Sequence, residues 1–224
     1  MIQDEHMPTA AIFDMDGLLV DSEPFWEQAE QDVFGALGLE LTTEMCSLTR
    51  GRRISEIVGY WYARMPLAGD IASTSEKLQA RVAHLLEKNA SEMPGVSHAM
   101  DLLVEHGFTL GLASSSPRPI IDAVLEKLGI ASRLKVVVSA NALEYGKPHP
   151  QVYLHCARLL GVEPTHCIAF EDSVTGLLAC KSASMTAVAI PDPAQFSDPR
   201  FSIADLRLSS LENLNSEHLR QLTL

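Results

Sequence analysis

Two aspartates one residue apart, Asp14 and Asp16, follow the apolar run Ala10–Phe13 and precede Gly17. A buried strand that stops on such a pair leaves two carboxylates at its tip. Among apolar neighbours they repel each other and lose hydration, so a cation or a reaction is needed to account for them. The triplet alone also fits a solvated turn, and its meaning depends on partners elsewhere in the chain. Three further clusters supply them. The run LGLA leads into Ser114, Ser115 and Ser116; the loop after VVVS holds Gly146, Lys147 and Pro148; the run CIAF leads into Glu171, Asp172 and Ser173.

Phosphoryl transfer uses this set of groups. An aspartate can act as a nucleophile and split one hard step into two. Paired carboxylates such as Asp14 and Asp172 suit magnesium, a hard cation that takes oxygen ligands in octahedral geometry. Lys147 offers a compact positive charge for a phosphate oxygen. Pro148 disfavours helical geometry at the residue before it and keeps Lys147 in an extended loop. Ser114, with the backbone amides that open the next helix, can donate hydrogen bonds to the same phosphate.

The elements that must position these groups are legible as alternating patterns. From Gly107 onward, strands are expected at Thr109–Ala113, Leu134–Ser139, Cys167–Phe170, Thr186–Ile190 and Leu206–Leu208. Amphipathic helices are expected between them at Pro119–Leu128, Gln151–Leu160 and Val174–Ser182. With Ala10–Phe13 this predicts an α/β fold, a doubly wound parallel sheet with helices on both faces. Ligands of such sheets bind beyond the carboxyl ends of the strands, where all four clusters fall.

Residues 24–90 carry no strand pattern. Ile54, Ile57, Val58, Trp61, Tyr62 and Met65 form one helical stripe, and Trp26, Ala29, Val33, Phe34 and Leu37 a second. Leu78, Val82, Leu85 and Leu86 form a third. They predict a small all-helical cap, residues 23–91, inserted into a core of residues 9–22 and 92–224. Trp26 fits either a side chain that faces substrate or, the more frequent place for an aromatic at helical spacing, the cap core. Arg50, Arg52 and Arg53 stand in a linker just before the second cap helix. They fit either a loop that grips substrate or a solvated basic patch.

Composition narrows the class of protein. Of 224 residues, 46% are hydrophobic and 21% charged, ordinary values for a soluble globular chain. The net charge of −12 disfavours nucleic acid and anionic membrane as partners, whereas a small anionic substrate needs only local cations. The N-terminal MIQDEHMPTA has acids where a signal peptide has basic residues, and no apolar run approaches the roughly 18 residues of a membrane span. Cys46, Cys156, Cys167 and Cys180 are scattered and read as buried reduced thiols, which points to the cytoplasm. A monomer is the default for a protein whose cap must move. Cys46 and Arg52 match the C-x5-R spacing of cysteine phosphatases, but TTEM before the cysteine reads as a helical start, not a strand. No Walker-type or dinucleotide-binding glycine motif occurs.

The segments FDMDGLLVDSEP, LASSSP, GKPHPQVY and AFEDSVTGLLACKSASM, in this order, resemble the four motifs of the haloacid-dehalogenase-like superfamily. The resemblance covers nearly the whole chain and is to the small-cap sugar phosphatases and phosphomutases. It implies magnesium-dependent hydrolysis of sugar or sugar-alcohol phosphates, of the hexose 6-phosphate or hexitol phosphate type, through an aspartyl-phosphate. Asp14 would be the nucleophile, and Asp16 the acid that protonates the leaving alcohol and then the base that activates water. Asp14, Asp172 and the Asp16 backbone carbonyl would hold magnesium, with Glu171 supporting. Ser114, Ser115 and Lys147 would hold the phosphoryl group. Ser115, like Ser116 and Ser173, also fits a turn or helix cap. Two rival readings follow. Mutases of the β-phosphoglucomutase type resemble the chain but carry histidine where Trp26 stands and a phosphate-binding arginine where Ile54 stands. A non-catalytic binding module on the same fold would be expected to lack a nucleophile or a metal ligand.

Overall fold

The computed structural model describes residues 10–222. Most of the N-terminal segment read for a signal peptide, and residues 9, 223 and 224 of the expected core, lie outside these described residues. Six strands form one parallel sheet: β1 (Ala10–Phe13), β2 (Thr109–Ser114), β3 (Val136–Ser139), β4 (Cys167–Glu171), β5 (Thr186–Ala189) and β6 (Leu206–Arg207). Their order is β3-β2-β1-β4-β5-β6. The chain therefore grows away from β1 on one side through β2 and β3, then restarts on its other side with β4. That reversal opens a crevice at the carboxyl end of β1, the usual ligand position in such sheets.

Both faces of β1 are buried, which is why its sequence is a continuous apolar run instead of an alternating one. Ala10 and Ile12 pack into one apolar cluster with α7 (Gln151–Leu160) and α8 (Val174–Ser182). Ala11 and Phe13 join a second cluster with α5 (Val96–Glu105) and α6 (Arg118–Leu128). Phe13 stacks on Phe170 of β4, ring centroids 4.9 Å apart, directly beneath the strand tips that carry the acids.

The expected strands and helices form, with ends displaced by one or two residues. The helix α5 was not expected, although Val96, Ala99, Met100 and Leu103 are buried at the spacing of a helical stripe. Between β1 and α5 the chain forms α1 (Glu23–Gly35), α2 (Thr43–Cys46), α3 (Ile54–Tyr62) and α4 (Ile71–Asn89), and no strand. Pro24 in the first turn of α1 costs no hydrogen bond, and Glu23 beside it suits the helix dipole. Ile57, Val58 and Trp61 of α3 and Leu78, Val82 and Leu86 of α4 share the apolar cluster of the second sheet face. The strands of chain that leave and re-enter the sheet layer lie side by side: Asp21 N–H donates to Ser91 O (3.1 Å) and Met93 N–H to Leu19 O (3.0 Å). Leu219 of α9 (Ser216–Leu222) completes that face. No helix among the described residues is long and apolar enough to cross a membrane.

Candidate active site

Asp14 and Asp16 emerge where the β1 tip turns. Asp14 N–H still donates to Phe170 O of β4 (3.0 Å), so its backbone is fixed by the sheet itself. Gly17 then adopts a φ of +75°, and a Cβ there would collide with Asp172 Oδ2. Only glycine lets this turn approach the carboxylate at the end of β4.

The loop before α7 brings in the balancing charge. Lys147 is buried, with Nζ 2.9 Å from Asp14 Oδ1 and 2.7 Å from Glu171 Oε1. Tyr153 OH donates to the same Glu171 oxygen (2.6 Å), while Glu171 Oε2 accepts from Ser173 N–H (3.3 Å) and Ser173 Oγ (3.1 Å). Glu171 thus orients Lys147 and is itself held on all sides. Burial alone would lower the pKa of Lys147, but the carboxylates of Asp14 and Glu171 outweigh it and hold the ammonium well above its ordinary range. Burial pushes Asp14 up to about 7, with Glu171 and Asp16 adding and Lys147 opposing. Burial and Glu171 likewise push Asp172 well above the usual carboxylate range, against the pull of Arg50.

Oxygens of Asp14, Glu171 and Asp172 lie within 4.8 Å of one another, all buried. Lys147, with an Arg50 that Asp172 shares with Glu23, leaves these acids short of positive charge. Asp14 Oδ1 has Lys147 Nζ, 2.9 Å away, as its charged partner. Hard, crowded, under-compensated oxygens of this kind fit a divalent cation such as magnesium.

Asp16 is held differently. Its Oδ1 accepts from Ser22 Oγ (2.8 Å) and Trp26 Nε1 (2.9 Å), its Oδ2 from Ser116 Oγ (2.7 Å) and Ser114 Oγ (3.4 Å). Trp26 therefore does both: its ring packs against the apolar cluster, while its indole N–H, which needs a partner, faces the crevice. Ser114 is fully buried and directs its hydroxyl at Asp16, whereas Ser115 Oγ donates to Gly51 O (3.0 Å). Ser173 Oγ caps α8 by accepting from Gly176 N–H (3.0 Å), as its helix-cap reading anticipated.

The three arginines part company. Arg50 reaches the acids, with Nε 3.0 Å from Glu23 Oε1 and Nη2 3.5 Å from Asp172 Oδ2. Arg52 lines the crevice. Arg53 does not; it pairs with Glu56 (2.8 Å) and donates to Leu143 O (2.9 Å) and Glu144 O (3.4 Å). Consecutive residues entering a helix point in different directions, and Arg53 clamps the backbone that leads to Lys147. Cys46 ends the short helix α2, with its thiol pushed up to about 12 by burial, so the C-x5-R spacing carries no nucleophile.

The crevice encloses about 300 Å³. One wall is a face of α1 made by Glu23, Trp26, Glu27 and Glu30, at i, i+3, i+4 and i+7. Glu30 is 4% exposed, and burial pushes it up to about 8 from an ordinary 4.5, with Thr49 and Trp61 opposing and Glu23 and Glu27 adding. Between those two values the folded chain holds a proton there that the unfolded chain has released. Its contribution to stability is therefore present below about 4.5 and lost as pH rises toward about 8. Glu30→Gln removes that term. Thermal or urea unfolding at pH 5 and pH 8 is expected to show wild type losing stability relative to the variant, by at most about 5 kcal/mol.

Comparison with known proteins agrees with this geometry. The sequence profile of the haloacid dehalogenase-like hydrolases matches residues 11–190. The chain is 45% identical over 213 residues to hexitol phosphatase B of Escherichia coli (strain K12), covering 94% of this chain and 96% of that protein. It is 29% identical over 177 residues to a fructose-1-phosphate phosphatase of the same organism, covering 79% and 93%. In fold it resembles CbbY from Rhodobacter sphaeroides in complex with phosphate, with a TM-score of 0.87 at 24% identity over 97% of this chain and all of the other. A strand-end acid cluster at the reversal point of a 3-2-1-4-5-6 sheet, on a sequence matched along most of its length, places this chain in the haloacid dehalogenase-like hydrolase family.

Proposed function

We propose that this protein is a magnesium-dependent phosphatase that hydrolyses sugar or sugar-alcohol phosphates through an aspartyl-phosphate on Asp14. The observation that carries the reading is the unequal setting of the two aspartates. Asp14 lines the crevice with the Lys147 ammonium as its partner, whereas Asp16 is steadied by four uncharged donors. Asp14 attacks phosphorus, and the phosphorus–oxygen bond to the sugar breaks as Asp16 protonates the departing alkoxide. Asp16, now ionised, takes a proton from a water molecule that attacks the aspartyl-phosphate. Inorganic phosphate leaves and Asp14 is regenerated. Lys147, aligned by Glu171, offsets charge on the transferring group, and Ser114 and Ser115, at the tip of β2, would hold the phosphoryl oxygens. Asp14, Asp172 and the Asp16 carbonyl would hold magnesium, which would supply positive charge that lets two anions meet. Residues 23–91 act as the cap, closing water out until the alcohol has departed.

The similarity to hexitol phosphatase B supports the substrate class. Trp26 on Asp16, where β-phosphoglucomutase-type enzymes carry histidine, favours hydrolysis over a mutase. Initial rates of phosphate release across hexose 6-phosphates, hexitol phosphates and a simple aryl phosphate provide the test. Release is expected with magnesium, loss with a chelator, and recovery when magnesium is restored. No release from any ester, or conversion of β-glucose 1-phosphate to the 6-phosphate outpacing release, overturns the reading.

A further inference from the structure

Glu30 has no part in the chemistry above, yet its carboxyl is buried in the wall of the crevice. It stands four residues beyond Trp26, which touches Asp16, and so about 6 Å farther along α1 than the acid–base group's own partner. A carboxyl offers about four lone-pair sites. Thr49 Oγ1 approaches as one donor, at 3.3 Å, but its single hydroxyl hydrogen has a nearer acceptor in Cys46 O at 3.0 Å. The indole N–H of Trp61 is the second donor to this carboxyl, and lone-pair sites remain free. A buried, under-bonded carboxyl is costly, and an apolar side chain would fill the place more cheaply. A hydroxyl group is the complementary ligand, because it donates to a carboxylate and accepts from a carboxylic acid. The neighbours Glu23 and Glu27 on the same face make this wall suited to uncharged, hydroxyl-rich groups.

We propose that Glu30 is the residue by which α1 reads the hydroxyl groups of the substrate's polyol chain, so that it sets the preference for sugar-alcohol phosphates over esters without hydroxyls. This rests on the phosphatase reading. The test compares kcat/KM for a hexitol phosphate and for phenyl phosphate in wild type, Glu30→Gln and Glu30→Met, with magnesium. In Glu30→Met the ratio of the two is expected to fall about 10- to 100-fold, chiefly through KM of the hexitol ester. Glu30→Gln, whose amide still hydrogen-bonds, is expected to lose less. Thermal unfolding is expected to show Glu30→Met at least as stable as wild type, which separates lost recognition from lost fold. A ratio within about twofold of wild type in Glu30→Met overturns the role of Glu30 and leaves the phosphatase reading standing. Wild type inactive on both esters overturns the phosphatase reading first and this one with it.

Discussion

Asp14→Asn is expected to lower phosphate release by at least about 10⁴-fold while the fold survives. The amide oxygen is a weak nucleophile, and asparagine cannot form the aspartyl-phosphate. Loss of a nucleophile is also not shared out among neighbours, because groups that act as one unit fail together. Stability should hold for a separate reason. Asp14 is one of three crowded, buried acids, and burial already pushes its carboxyl up to about 7. Asparagine has nearly the same shape and removes one of the repelling charges, while Lys147 keeps Glu171 at 2.7 Å. Release of phosphate from an aryl phosphate, measured beside the melting temperature, checks both halves. Turnover within about tenfold of wild type would remove Asp14 as the nucleophile.

Lys147→Met is expected to be the more damaging change to the folded state, at about 3–5 kcal/mol. Lys147 is the buried cation between Asp14 and Glu171, and methionine of similar length leaves those carboxylates facing each other without compensation. Tyr153 and Ser173 still donate to Glu171, which limits the loss but adds no charge. A divalent cation bound at the acids replaces part of the missing charge, so magnesium should stabilise the variant more than it stabilises wild type. Urea titration with and without magnesium measures both effects. A loss below about 1 kcal/mol would mean that the acids are relieved by protonation instead of by the lysine.

The outline of the sheet and the four strand-end clusters could be read from the chain because each depends on a short local pattern. A run such as Ala10–Phe13 is apolar at every position only when both faces of a strand are covered. Strand ends were less legible, since the last residue of a strand is set by the ladder of its neighbour. Val136, not Leu134, opens β3 because it is the residue that pairs with Gly111. Trp26 shows a different limit. Its stripe was real, but periodicity identifies a helix face without saying whether that face meets a core or a cavity. Glu30, four residues on, was hidden by the same ambiguity. Glu171 could be placed beside the metal site by motif, yet its direct hold on Lys147 and its support from Tyr153, eighteen residues earlier in the chain, are contacts between elements.

By itself the sequence determined the parallel α/β core, the helical insertion, the acids at the tips of β1 and β4, and the lysine that must accompany them. Those follow from local rules of propensity, periodicity and turn chemistry, which act within one element at a time. Only the tertiary structure decided that Glu171 aligns Lys147, that Arg53 turns away from the crevice while Arg50 reaches Asp172, and that Trp26 and Glu30 look down on the acids from α1. Each of these depends on which elements lie opposite one another, and that is set by the packing of apolar faces far apart in the chain.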